Sequence, residues 1–151
     1  MAVRPDTKKT DTSDRAYTAP LHKQLAALCY RVGKSGREVL MVTSSRGRWI
    51  LPKGWPIDGL AHGDAAMVEA WEEGGVRKGK VAAKPIGKYM ATKISEHGDE
   101  EACETRVYAV EVSKTSKDYP EADRRERKWV SVKKAANMVT EDGLRAILRK
   151  F

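Results

Sequence analysis

Residues 54–76 read GWPIDGLAHGDAAMVEAWEEGGV, and the rest of the chain is best read outward from them. Gly54, Pro56 and Gly59 interrupt any regular repeat, so the segment from Lys53 to Gly59 is expected to be an irregular loop. Asp64 then offers a helix N-cap, AAMVEAWEE (65–73) continues as a helix, and Gly74-Gly75 stops it. At about 100° per residue, Glu69, Glu72 and Glu73 share one arc, while Met67 and Trp71 fall on the opposite side and are expected to anchor the helix in a core. Three like charges on one face repel, each i,i+3 or i,i+4 pair costing roughly a few tenths of a kcal/mol. A hard divalent cation offsets that repulsion, because carboxylate oxygens are the ligands Mg²⁺ and Mn²⁺ prefer. Three glutamates by themselves fit a solvated acidic stripe better than a metal site. The loop directly before them favours the metal.

Upstream, LAALCYRV (25–32) and EVLMVTSS (38–45) are strand-like runs divided by a turn at Gly33 and Gly36, and WILP (49–52) is a third short run. Downstream, RKGKVAAKPIGKYMATKI (77–94) reads as one or two strands broken near Pro85 and Gly87. EHGDEEA (96–102) is a polar turn, and CETRVYAVEV (103–112) alternates like a half-buried strand. A charged loop, KTSKDYPEADRRER (114–127), leads to a last strand, KWVSV (128–132), and then to helical KKAANMV and EDGLRAILRKF. Strands with one helix inserted early and helical turns late predict an α/β (α+β) fold, layered as an α/β/α sandwich.

Residues 1–19 are polar and mixed in charge and are expected to form a flexible arm before one domain over 20–151. They carry no apolar signal segment, and Asp6, Asp11 and Asp14 argue against a transit peptide. The two cysteines, Cys29 and Cys103, sit in apolar runs without a C-x-x-C partner, so buried thiols in a reducing compartment, the cytoplasm, are expected. No apolar run is long enough to span a bilayer, which excludes a membrane helix.

The 151 residues hold 29 Lys and Arg against 21 Asp and Glu, a formal +8, which attracts anions: nucleic acid, polyphosphates or acidic membrane. A basic surface that serves only solubility carries comparable weight on charge alone. The basic residues are spread along the chain, and aromatics are only 7%, poor material for base-stacking platforms. A compact polyanion is therefore the better match than a nucleic-acid strand.

The segment 54–76 resembles the Nudix box, G-x5-E-x7-R-E-U-x-E-E-x-G-U with U aliphatic, in length and register. Gly54, Glu69, Ala70, Glu72, Glu73, Gly75 and Val76 match it, while Leu60 stands for the first Glu and Val68 for the Arg. LCYR (28–31), VLMVTSSRGRWILPKG (39–54), TRVYAVEV (105–112) and RRERKWVSVKKAANMV (124–139) are similar to the diphosphoinositol polyphosphate phosphohydrolase branch of that family. The resemblance covers about residues 25–139. It implies a mixed β-sheet in the sandwich and Mg²⁺-dependent cleavage of a phosphoanhydride, with Mn²⁺ as a substitute.

By that resemblance, Glu69, Glu72 and Glu73 are the catalytic and metal-ligating residues, with the carbonyl of Gly54 as a further ligand. Arg31, Ser45, Arg46, Lys53, Arg106 and Arg124 or Arg125 are the residues expected to hold phosphates. The water's proton goes to a box glutamate or to Glu101, Glu104, Glu121 or Glu126, a choice the sequence leaves open. With Val68 in place of arginine, the glutamates are held either by metal alone or by a basic residue from elsewhere, and Val68→Arg is expected to raise turnover or metal affinity. The substrate is a small polyanion, a diphosphoinositol polyphosphate or a diadenosine polyphosphate. An RNA 5′ end, which needs a strand groove, and a non-catalytic polyphosphate-binding module are the alternatives.

Overall fold

The computed structural model describes residues 22–151, so the reading of residues 1–19 as an arm lies outside the described residues. One mixed eight-stranded sheet runs through the molecule. Its frame is three long strands, β1 (His22–Gly33), β2 (Gly36–Thr43) and β7 (Glu100–Thr115). β1 and β2 are an antiparallel hairpin in which Gly33 faces Gly36, and Gly36 takes a φ of 109° that an L side chain rarely adopts. β1 and β7 are parallel from His22↔Cys103 to Tyr30↔Glu111.

Shorter strands complete the sheet. β3 (Trp49–Ile50) and β8 (Arg127–Ser131) pair with β2, and β4 (Lys53–Gly54) pairs with β1. β5 (Val76–Val81) and β6 (Gly87–Ile94) pair with β7, the break between them falling at Pro85. Alternation along β1 sends Ala26 and Leu28 to one face and Leu25, Ala27 and Cys29 to the other. The first face is covered by α2 (Val132–Met138) and α3 (Asp142–Lys150), through Ala135, Ala136, Leu144 and Leu148. The second is covered by α1 (His62–Gly74), through Ala65, Ala66 and Ala70. Both faces of the central strands are thus covered, which is why β1 reads as a nearly unbroken apolar run. Cys29 and Cys103 are free and buried in these layers.

Several elements differ from the sequence reading. Helix α1 begins at His62, with Ala61 as its N-cap, and Asp64 lies in the first turn. There its carboxylate favours the helix dipole and makes no capping bond. The buried face of α1 is Ala65, Ala66, Ala70, Glu73 and Gly74, whereas Met67 and Trp71 are half-buried on its flank. Small residues win because the helix lies close to the sheet: a Cβ on Gly74 would stand 2.9 Å from Leu40 Cδ2. Lys53–Gly54 is drawn out of the loop into a short strand, beside which Ala27 N–H donates to Pro52 O at 2.9 Å. Among the described residues, no helix is long and apolar enough to cross a membrane.

Candidate active site

Close packing of α1 carries its acidic side inward. Glu73 is 6% exposed, and Lys53 N–H from β4 donates to its Oε1 at 3.2 Å. One turn earlier, the half-buried Glu69 lies against Gly54, where a Cβ would overlap its carboxylate, with Oε2 2.5 Å away. Glycine is required there because side chain and backbone share one space. Burial pushes the Glu73 carboxyl up to about 8, against the pull of Arg125 and the Lys53 N–H, with Glu69 and Glu121 adding repulsion. Burial raises Glu69 as well; its hydrogen bond with Glu73 works the other way, and Glu72 and Glu121 push in the same direction as burial.

The fourth carboxylate comes from a distant part of the chain. The segment between β7 and β8 folds onto the C-terminal end of α1. There Ser116 N–H donates to Gly75 O (2.8 Å), Glu121 N–H to Glu72 O (3.0 Å) and Arg127 Nη1 to Gly74 O (2.8 Å). Gly75 ends the helix at φ 70°, and a side chain there would meet Tyr119 Cδ1 and Ser116 O. This docking brings Arg125 between two carboxylates: Nε lies 2.7 Å from Glu121 Oε1 and Nη2 lies 3.5 Å from Glu73 Oε2. Its Nη1 donates to Thr43 O at 2.7 Å.

Beside the cluster is a pocket of about 270 Å³. Its walls include Ser45, Arg46, Arg48, Lys53 and Lys93, with Glu73 and Arg125 on the acidic side. The loop that presents Arg46 and Arg48 is closed by Ser44, whose Oγ accepts from both of their backbone N–H groups. Burial lowers the Lys53 ammonium, with Glu141 the largest opposing influence. Among the described residues, no carboxylate lies within ion-pair distance of Lys53, Lys93, Arg46 or Arg48. Three buried polar atoms of the same walls, Gln24 Oε1, Arg48 Nε and Glu141 Oε1, have no hydrogen-bond partner among the described residues. Unpaired buried polar groups are costly, and a polar ligand relieves that cost.

The pocket therefore gathers Ser45, Arg46, Lys53, Glu73 and Arg125 of the residues singled out in the sequence. Arg31 lies at the other end of β1, about 23 Å along the strand from Gln24. It is bonded to Glu38 at 2.8 Å and stacked over Trp129 at 4.2 Å. Arg106 is exposed on β7 and lines a different recess with Pro85, Ile86 and Lys88. Arg124 projects from the docked segment, 70% exposed and 3.7 Å from Glu121. Of the later glutamates, Glu121 alone reaches the cluster, since Glu101 pairs with His22 at 3.0 Å, Glu104 with Lys88 at 3.2 Å, and Glu126 is exposed. Gln24, Lys93 and Glu141 carry no signal in the sequence, and only the sheet register and the junction of α2 with α3 bring them together, whereas Arg48 comes with Arg46 in the loop that Ser44 closes.

The donor set fits a hard divalent ion. The carboxylates of Glu69 and Glu73 crowd each other, Glu69 also lies against the Gly54 backbone, and all the oxygens are of the type hard divalent ions take. Among the described residues, no three acidic, His or Cys side chains form a ready-made cage.

A family model described as NUDIX domain matches residues 22–151. Among curated proteins, "Nudix hydrolase 12, mitochondrial" of Arabidopsis thaliana is 34% identical over 118 residues, covering 76% of this chain and 58% of that protein. "Diphosphoinositol polyphosphate phosphohydrolase 3-beta" of Homo sapiens is 33% identical over 121 residues, covering 78% of this chain and 68% of that protein. The chain spans less than two thirds of the length of the Arabidopsis relatives named Nudix hydrolase 12, 13 and 16, covering 58%, 59% and 56% of them. A C. elegans Ap4A hydrolase superposes with a TM-score of 0.61 at 18% identity, over 87% of this chain and 96% of that one. The NUDIX domain of Shewanella oneidensis NrtR, solved with ADP ribose, gives 0.65 at 16% identity, over 88% of each chain. Both agree with this chain in fold.

Proposed function

The chain belongs to the Nudix family, and from that premise we propose that it is a divalent-metal-dependent hydrolase of phosphoanhydride bonds in small polyanions, diphosphoinositol polyphosphates foremost. The observation that carries this reading is one pocket with two unlike walls: cations without carboxylate partners among the described residues on one side, a crowded carboxylate cluster on the other. The 33% identity to proteins named diphosphoinositol polyphosphate phosphohydrolases supports the substrate class. Lys53, Arg46 and Ser45 take phosphate oxygens, the arginine as a fork and the lysine as a point charge. Arg31, Arg106 and Arg124 lie outside the pocket and would meet only parts of a ligand that extend beyond it.

Glu69 and Glu73, with Glu72 and the Gly54 carbonyl, would hold Mg²⁺ or Mn²⁺; when bound, the ion neutralises phosphate charge and lowers the pKa of an attacking water. Water adds to one phosphorus while its bond to the bridging oxygen breaks, and the water's proton passes to a carboxylate of the Glu69, Glu73 and Glu121 group. The bridging oxygen leaves on the second phosphate. The half-buried Lys53 favours a bound anion, because an anion offsets the burial that lowers its ammonium.

A diadenosine polyphosphate is the second reading, favoured by Trp55, which is 41% exposed with Nζ of Lys93, a residue of the pocket wall, 5.1 Å from its ring centre. The buried free thiols support a reducing compartment, in line with the cytoplasm. The test is product release with Mg²⁺ or Mn²⁺ from a panel of a diphosphoinositol polyphosphate, diadenosine polyphosphates, nucleoside triphosphates and 5′-triphosphate RNA. The expected result is the highest kcat/KM on the first. Preference for RNA with a steep loss at raised salt would transfer the reading to RNA 5′ ends. Binding without turnover of any member would make the chain a polyphosphate-binding module.

A further inference from the structure

We infer that Arg125 is a positioning residue for the carboxylate cluster, delivered to the helix from outside it, and is not a phosphate ligand. The inference rests on the proposed metal-dependent reading. Helix α1 itself, HGDAAMVEAWEEG, contains no lysine or arginine. Its carboxylates must therefore find their counter-charge elsewhere. Val68, one turn before Glu72, instead shares a shallow groove with Met67, Trp71, Val76, Arg77 and Lys78.

Arg125 meets that need with all three nitrogens engaged. Nε holds Glu121 at 2.7 Å, Nη1 holds the Thr43 carbonyl at 2.7 Å, and Nη2 reaches Glu73 at 3.5 Å. Its side chain is 19% exposed, against 70% for its neighbour Arg124. The backbone around it is fastened on two sides. Glu126 N–H donates to Thr43 Oγ1 at 3.0 Å and Thr43 N–H to Glu126 O at 3.1 Å, while Glu121 N–H holds Glu72 O. A guanidinium in a fixed fork holds several acceptors in one geometry, which a lysine cannot reproduce. The segment thus couples β2, the end of α1 and the cluster, and it sets the spacing of Glu73 and Glu121 before any substrate arrives.

The two roles separate in kinetics. A phosphate ligand lost from the ground state raises KM, whereas a misplaced catalytic cluster lowers kcat. Arg125→Ala and Arg125→Lys would be measured for kcat and KM, for Mn²⁺ affinity by electron paramagnetic resonance without substrate, and for fold by near-ultraviolet circular dichroism. The expected result is a fall in kcat of about 10- to 100-fold with KM within about threefold, the scale of a displaced reacting group. Mn²⁺ affinity falls in the same variants, and Arg125→Lys retains little more of either than Arg125→Ala does. Should Arg125→Ala not fold, Glu121→Ala tests the same arm, since it removes the 2.7 Å acceptor of the guanidinium and is expected to weaken Mn²⁺ binding. Raised KM with unchanged kcat and Mn²⁺ affinity would overturn the inference and return Arg125 to the phosphate ligands. A native chain that binds no Mn²⁺ through Glu69 and Glu73 would overturn the metal-dependent reading, and this inference with it.

Discussion

The two walls of the 270 Å³ pocket both carry charge and use it in opposite ways. On the acidic wall, Arg125 is committed to Glu73, Glu121 and a carbonyl, so its charge holds shape. On the other, Lys53, Lys93, Arg46 and Arg48 have no carboxylate within ion-pair distance among the described residues, so on the proposed reading their charge is left for a ligand. The difference teaches that charge type says little about role until the partners are known. Arg31 gives the same lesson at the far end of β1, where Glu38 and Trp129 already occupy it.

The sharpest way to break the contrast is to disturb the acidic wall without touching a charge. Gly54→Ala drives a methyl group into the Glu69 carboxylate, and kcat is expected to fall by about 100-fold. Steady-state kinetics with a melting curve would check that the fold survives; near-native turnover would mean that the Gly54–Glu69 contact is incidental. The cationic wall should fail differently. Removing the Lys53 charge in Lys53→Ala is expected to raise KM by about tenfold or more, the size of one charge-assisted hydrogen bond. Arg31→Ala should leave KM within about twofold, since Arg31 lies outside the pocket and is already engaged by Glu38 and Trp129. Equal effects on KM from the two variants would erase the distinction drawn from their partners.

Smaller effects come from pH and from the helix flank. The Glu73 carboxyl is raised from 4.5 to about 8, so the folded, metal-free protein favours its neutral form. That stabilisation is fully present below about pH 4.5 and is lost as pH rises through about 8. The melting temperature without metal should therefore show a downward component between about pH 4.5 and about pH 8 that is absent from Glu73→Gln, while added Mg²⁺ reverses it by favouring the ionised form. A pH profile shared by both proteins would contradict it. Smallest of all, Val68→Arg should change turnover and Mn²⁺ affinity by less than about threefold, because an arginine at i,i+4 from Glu72 adds only a few tenths of a kcal/mol where Arg125 already holds the cluster. A large gain would mean that the cluster is poorly held in the native chain.

Much of this was legible in local pattern. The paired runs of β1 and β2, the helix stop at Gly75 and the three glutamates of one helical arc all follow from spacing. Which residues of the helix lie nearest the sheet was legible only in part: Met67 packs against the core as its place on the wheel implies, but the closest layer is Ala66, Ala70 and Gly74, which lets the helix approach the sheet. Glu73 is buried as a consequence, which no helical wheel weighs. Gln24, Lys93 and Glu141 join the pocket from widely separated parts of the chain, and the engagement of Arg125 by Thr43 spans 82 residues. Such distances are fixed by sheet register and loop docking, and a linear pattern carries no trace of them.

The most direct test of the central claim is Mg²⁺-dependent hydrolysis of a diphosphoinositol polyphosphate by the native chain beside Glu69→Gln/Glu73→Gln. The account predicts turnover that rises with Mg²⁺ and falls by at least about 100-fold in the double variant, with the substrate still bound through the cationic wall. Turnover that persists in the double variant, or that needs no divalent ion, would contradict it.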